Sequence, residues 1–327
     1  MNLSSSRKTY ELLPKLHQDG ESKRVLLVGA TGFIGSHILR ALNSQSDTTV
    51  SILSRGHYNG VGSYDNSVIP GDVTDFSSLS LALEGIDVVI NAASYVGSHA
   101  ATAISVNLEG TLNILRACEQ SSVSRVIQLS TTAVYGSGPH RGPKPSAPGY
   151  HPESIASQSR ATADQEVLAA GGIVIRPNLV YGSGDRWVIP GIVRMFSTLE
   201  ATIDNGDALV SLIDVEALGR LSASLARTPL PLSGALHAAG TEPVSVSNLL
   251  THISEQIQKL DIKRDCSLHE AVRLLEPAGF RPHQVSMLGA DHYYESSELW
   301  EIAGLPEPAF RISPDASLWY RRFLTRH

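Results

Sequence analysis

Apolar positions in this chain fall in short runs separated by amphipathic stretches, the alternation that strands and helices stacked in layers require. Residues 24–28 read as a buried strand, residues 29–35 carry three evenly spaced glycines, and residues 36–42 turn to helical periodicity. Further strands are predicted at 50–54, 67–71, 87–91, 125–130 and 172–176, with helices at 79–83 and 104–119. Strands joined through helices cross over right-handedly, which predicts an α/β fold on a mostly parallel, doubly wound sheet.

The pattern changes past residue 182. Helical stretches at 189–199, 214–226 and 267–275 predominate there and proline recurs, so residues 183–327 are expected to form mainly a smaller C-terminal substrate-binding lobe, with some segments returning to the sheet. Residues 23–182 are then the dinucleotide-binding domain and residues 1–22 a polar extension, with a short amphipathic helix at 10–16. The Gly/Pro-rich stretch 136–152 reads as a long loop, and 275–292, with Pro277, Gly279, Pro282 and Gly289, as a lid over the ligand.

Composition narrows the partners. With 42% hydrophobic and 18% charged residues the chain can fill a core. Lys+Arg 26 against Asp+Glu 32 gives a net charge of -6, so no basic field exists to condense on nucleic acid. Two distant cysteines, Cys118 and Cys266, make neither a disulfide framework nor a metal cluster, and no metal is expected. The first twenty residues lack the apolar core of a secretion signal and no long apolar run follows, so a soluble cytoplasmic protein without a membrane partner is expected.

Gly29, Gly32 and Gly35 stand between a predicted strand and a predicted helix. In a Rossmann-type fold the first glycine permits the tight turn, the second lets backbone approach a pyrophosphate, and the third lets helix pack on strand. The pyrophosphate would rest on the helix N-terminus, near Thr31, Phe33 and Ile34. At the end of the second strand, where an acidic residue would hold the ribose hydroxyls of NAD(H), the chain has Ser54 and Arg55. A guanidinium fork suits a 2′-phosphate, so NADP(H) is the expected cofactor.

Further motifs follow in order: Asp72-Val73, Asn91-Ala-Ala93, Val106-Asn107, the Val134-Tyr135-Gly136 turn and the segment from Arg176 to Gly182. Together with the glycine motif they resemble the extended short-chain dehydrogenase/reductases, the NAD-dependent epimerase/dehydratase superfamily. The resemblance implies that Asp72 and Val73 hold the adenine, that Ala92, Ala93 and Ser94 line the cofactor, and that Pro177, Asn178 and Val180 flank the nicotinamide. It places the hydroxyl that binds the substrate carbonyl on Thr131, and substrate contacts on Tyr95, Tyr135 and, in the loop 185–190, Arg186. The family's catalytic Tyr and the Lys four residues beyond it fall on Ala156 and Arg160. The helices from 104 and after 160 match the family's dimer helices, so a monomer or homodimer is expected.

Arg160 can still hold ribose hydroxyls, but alanine transfers no proton. Reduction of a ketone needs hydride delivery and neutralisation of a developing alkoxide, and only the second is compromised. Tyr150, His151, His99, Tyr95 and Tyr135 are candidate donors, and a hydroxylated or delocalised substrate could assist its own protonation. The chain is therefore read as an atypical NADPH-dependent ketoreductase of a small-molecule biosynthetic ketone, with aromatic polyketides favoured. The alternatives are a nucleotide-sugar (deoxysugar) ketoreductase or epimerase and a non-enzymatic NADP(H)-binding sensor.

Overall fold

The computed structural model describes residues 22–56 and 66–326. The N-terminal extension, with the helix expected at 10–16, lies outside the described residues apart from Ser22. The chain divides into two compact units that interleave in sequence. The first holds the chain to Ser130, Ser154–Ile175 and Ser222–Ala235; the second holds Thr131–Glu153, Arg176–Leu221 and Leu236–His327.

The first unit is built on a seven-stranded parallel sheet. Its strands are β1 (Lys23–Val28), β2 (Thr48–Ser54), β3 (Ser67–Pro70), β4 (Val88–Asn91), β5 (Arg125–Leu129), β6 (Ile173–Pro177) and β7 (Gly234–Ala238). They lie in the order β7-β6-β5-β4-β1-β2-β3, so the strand order reverses between β1 and β4. β1 pairs in register with β2 on one side and β4 on the other, Val28 opposite both Leu53 and Asn91. Such a reversal opens a crevice at the carboxyl ends of the strands. Leu26, Val89, Val126 and Val174 face one core, which Leu79, Ile114 and Leu115 complete from the helices. Burying each such side chain stabilises the fold by about 1.5–3 kcal/mol.

The longer helices of this unit are α1 (Phe33–Asn43), α2 (Phe76–Ala82), α3 (Gly110–Ser121) and α4 (Ile155–Ala169). The helix expected at 104–119 is interrupted: Ile104–Glu109 winds as a π-helix before α3. There the buried Asn107 accepts from the backbone N–H of Tyr95 at 2.7 Å and donates to the carbonyl of Tyr95 and the hydroxyl of Ser159, both at 2.9 Å. α4 begins earlier than its apolar spacing suggests, because Ser154 and Ser157 form a reciprocal capping box. β7 is not among the strands expected at named positions, although it is a segment of 183–327 that returns to the sheet; it attaches beside β6, Gly234 donating to the carbonyl of Gly172 at 3.0 Å. Arg125 steadies the approach to it by donating to the carbonyls of Leu225, Thr228 and Leu230.

The second unit gathers short strands and helices around Ile189, Phe196, Val246, Leu249 and Tyr320. Leu179–Tyr181 pairs with Leu212–Asp214, and a four-stranded sheet contains His140–Arg141, from within the stretch expected to be loop, beside His292–Tyr293. Residues 275–292, expected as a lid, fold into a 3-10 turn and the helix Pro282–Gly289, and bury Leu275, Phe280, Val285 and Leu288 in this unit's core.

Candidate functional site

In the first unit the glycine turn leaves the end of β1 with Gly29 at φ +84°, a conformation that costs glycine little. A Cβ on Gly29 would meet the backbone of Ala93 at 2.6 Å, and one on Gly35 would meet the carbonyl oxygen of Gly29 at 2.0 Å. The turn is therefore a bare backbone cradle. α1 starts behind it with Gly32 at the N-cap, no side-chain cap and no acid in its first turn. Its leading N–H groups and dipole are left for an anion.

A cavity of about 460 Å³ opens in front of this cradle. Gly29, Thr31, Gly32, Ser54, Arg55, Asp72, Val73, Ala92, Ala93, Ser94 and Tyr95 all line it, so eleven positions singled out in the sequence converge on one hollow. Phe33, Ile34 and Gly35 belong to the first turn of α1 instead and do not line it. Arg55 is exposed at the cavity's edge, where Ser54 turns its hydroxyl onto the carbonyl of Gly56 at 3.0 Å. Asp72 accepts from the amide and hydroxyl of Thr74, both at 2.9 Å, which fixes the turn after β3. Val73 is held through its carbonyl by Asn113 and lies against Gly110, where a Cβ would come within 2.7 Å. A backbone cradle and an open helix end in front of a hollow fit the pyrophosphate of a nicotinamide dinucleotide.

On α4, Ala156 and Arg160 are one turn apart and share a face. Arg160 reaches the carbonyl of Leu129 at 3.4 Å, while its buried Nε makes no hydrogen bond among the described residues. Burial lowers the pKa of Arg160 and the charge of Asp164 raises it again. Asp164 in turn accepts from the hydroxyl of Ser130 at 2.8 Å.

His99 caps the short helix Ala100–Ala103 of the first unit, its Nδ1 2.8 Å from the hydroxyl of Thr102, and the other sequence-derived candidates lie in the second unit. Thr131 caps the 3-10 turn Thr132–Tyr135, its hydroxyl accepting from the N–H of Ala133 at 3.2 Å. Asn178 has its amide committed: it accepts from Thr132 and donates to the carbonyls of Ser211 and His292, which leaves its backbone for any cofactor contact. Pro177 and Val180 are buried in their strands. Arg186 is exposed on a loop held by the buried Asp185.

Tyr135 sits at the centre of a polar cluster. Arg176, itself buried, donates to its hydroxyl at 2.8 Å and to the hydroxyl of Tyr150, with the guanidinium 5.0 Å from the Tyr150 ring centroid. The hydroxyl of Tyr135 lies 2.8 Å from Nε2 of His237, whose Nδ1 lies 3.0 Å from the carbonyl of Glu295. Nδ1 then carries the proton and Tyr135 donates to Nε2. Burial, with Arg176 and His140 nearby, pushes the pKa of His237 down to about 4, against the Glu295 carbonyl and carboxylate, which favour the charged form. The sequence reading missed His237, because a histidine in a short strand carries no signal of what its ring will meet.

Residues 25–229 match the family model of the NAD dependent epimerase/dehydratase family. The 2-alkyl-3-oxoalkanoate reductase of Stenotrophomonas maltophilia is 25% identical over 182 residues, 52% of this chain and 55% of that protein. The chain thus spans about half the length of that relative. The decarboxylating sterol-4-alpha-carboxylate 3-dehydrogenase of Homo sapiens is 24% identical over 332 residues, 89% of this chain and 86% of that protein. Among solved structures, UDP-glucuronic acid 4-epimerase from Bacillus cereus in complex with NAD superposes with a TM-score of 0.69 at 18% identity, covering 92% of this chain and 99% of that one. That likeness is one of fold.

Proposed function

The chain belongs to the NAD-dependent epimerase/dehydratase family, and from that premise we propose that it is an NADP(H)-dependent oxidoreductase that reduces a ketone, with aromatic, polyketide-like ketones as its substrate class. The observation that carries the cofactor choice is Arg55 on the rim of the glycine cradle, where the residue ending β2 is Ser54 and not a carboxylate. A guanidinium there gains charge-assisted hydrogen bonds from a 2′-phosphate, whereas a ribose diol offers it little. When bound, the cofactor supplies hydride to the carbonyl carbon.

The residues of the chain do the rest. The open end of α1 takes the pyrophosphate, Arg160 remains as a fixed cation for ribose hydroxyls, and the hydroxyl of Thr131, oriented by its cap on Ala133, binds the carbonyl oxygen. Ala156 removes the base that oxidation of an alcohol requires, which favours reduction over epimerisation. Two relatives bear names of ketone and alcohol chemistry, a 3-oxoalkanoate reductase and a 3-dehydrogenase, in keeping with this direction.

The test is calorimetric titration with NADPH and NADH, followed by NADPH consumption on a panel of aromatic and nucleotide-sugar ketones. Tighter uptake of NADPH and its oxidation on an aromatic ketone are expected. No uptake overturns the reading. Uptake without consumption makes the chain an NADP(H)-binding sensor, and turnover confined to nucleotide sugars moves it to that substrate class.

A further inference from the structure

We infer that the ring of Tyr95 is the wall on which the adenine of the dinucleotide stacks, which moves this residue from the substrate, where the family resemblance places it, to the cofactor. The inference rests on the dinucleotide reading of the hollow in the first unit. It adds a specific contact to that reading.

The lining of the hollow decides which half of the dinucleotide it takes. That lining comes from the carboxyl ends of β1, β2, β3 and β4, with Thr102 and Val106 from the segment that follows β4. The glycine cradle after β1 takes the pyrophosphate, so the space that runs from it to the ends of β2 and β3 is left for the adenosine. Arg55 then stands at the ribose, and the base needs an apolar or aromatic surface.

One end of the hollow supplies that surface. Val73 lies against Gly110, where a Cβ would come within 2.7 Å of its side chain, and Val106 stands one helical turn before Gly110. Both valines therefore belong to the same end. Tyr95 is brought there by Asn107, the neighbour of Val106, whose buried amide accepts from the Tyr95 N–H at 2.7 Å and donates to the Tyr95 carbonyl at 2.9 Å. Among the described residues that line the hollow, Tyr95 is the one aromatic side chain.

The side chain is placed as closely as its backbone. The ring lies over Gly97, where a Cβ would stand 2.5 Å from its Cζ, and its hydroxyl accepts from the N–H of His99 at 3.3 Å. Only glycine at 97 leaves the ring this position. Tyr95 is nevertheless half-buried rather than enclosed, so ring surface remains open in the hollow. A ring already fixed by its own loop loses little freedom when a base settles on it, which is how a preorganised contact gains affinity. The loop needs bulk over Gly97 but no π-face; a purine gains from the π-face.

Two measurements on the whole chain test this. Calorimetry uses ADP, which carries the base and the pyrophosphate without the nicotinamide, and fluorescence uses etheno-ADP at saturation, whose base is dim when stacked on an aromatic ring and bright when unstacked. Bound etheno-ADP is expected to be dim in the wild type and in Tyr95→Phe, and bright in Tyr95→Leu, which keeps apolar bulk over Gly97. Tyr95→Leu is expected to weaken ADP binding by about 5–150-fold, and Tyr95→Phe by less than about twofold because the hydroxyl serves only the loop. Bright emission in the wild type overturns the inference with no substitution needed. Emission that stays dim in Tyr95→Leu, or ADP affinity that this change leaves intact, overturns it while the dinucleotide reading stands. If the wild type takes up neither ADP nor NADPH, the dinucleotide reading itself falls and the stacking with it.

Discussion

A methyl group on Gly29 would stand 2.6 Å from the amide nitrogen of Ala93, so the loops that follow β1 and β4 touch backbone to backbone at the point where the strand order reverses. Gly29→Ala therefore incurs two penalties, the close approach and the positive φ. Together they are expected to cost about 2–5 kcal/mol and to abolish dinucleotide uptake. Gly171 has φ +80° with open space around it, so Gly171→Ala isolates the dihedral cost of about 1–2 kcal/mol. Urea unfolding of the two variants checks this, and equal losses would show that the contact with Ala93 contributes nothing.

Arg55 offers a cleaner test of cofactor choice, because it is exposed and its replacement should leave the fold intact. Losing charge-assisted bonds to a 2′-phosphate costs about 1.5–3 kcal/mol, or roughly 10–150-fold in affinity. Arg55→Asp is expected to weaken NADPH binding by that factor and to tighten NADH, since a carboxylate accepts from ribose hydroxyls. Calorimetry with both dinucleotides measures it. Equal losses for both would place Arg55 on a phosphate they share.

His237 makes stability depend on acid. Its folded pKa is pushed down to about 4 by burial, against about 6.5 in an unfolded chain. Between those values the unfolded state holds more protons, so stability is fully present above the upper value and lost as pH falls towards the lower one. The loss amounts to about 3 kcal/mol. His292, likewise lowered chiefly by burial, acts in the same direction. Denaturant titrations at about pH 7.5 and about pH 4.5 should show the drop, and His237→Gln should flatten it. An acid slope unchanged in His237→Gln would assign the effect to other groups.

The nucleotide cradle was legible in the sequence because it is local: the period of the apolar pattern changes within a few residues around Gly29, Gly32 and Gly35, and each glycine has a steric duty there. What the sequence hid was built from distant partners. Asn107 reads as an ordinary helical residue until Tyr95 and Ser159 are brought to it and the helix widens into a π-turn. β7, with glycine, alanine and His237 in five positions, lacks the β-branched density of a strand, and its place follows from the carbonyls that Arg125 gathers. The cluster around Arg176 needs residues from four separate segments, none of which points to the others by spacing.

The loop bearing Arg186 depends on a single buried carboxylate. Asp185, 1% exposed, accepts from the N–H groups of Trp187 and Val188 at 2.8 Å and of Ile189 at 2.9 Å, and from the hydroxyl of Tyr320 at 2.9 Å. Tyr320 in turn accepts from the N–H of Gly182 at 2.8 Å, so both ends of the loop are fixed to one pair. This rigidity holds Trp187, 76% exposed, and Arg186 out into solvent. Asp185→Ala leaves the donors at the start of Val188–Leu199 without an acceptor and is expected to cost about 2–4 kcal/mol. Burial raises the pKa of Asp185 while the four donors lower it, so the charge itself is costly and Asp185→Asn should lose only about 1 kcal/mol. If the loop holds substrate, Asp185→Asn raises KM with little change in kcat, which a thermally matched core variant would not reproduce. Unchanged KM would confine Asp185 to folding and remove Arg186 from the substrate site.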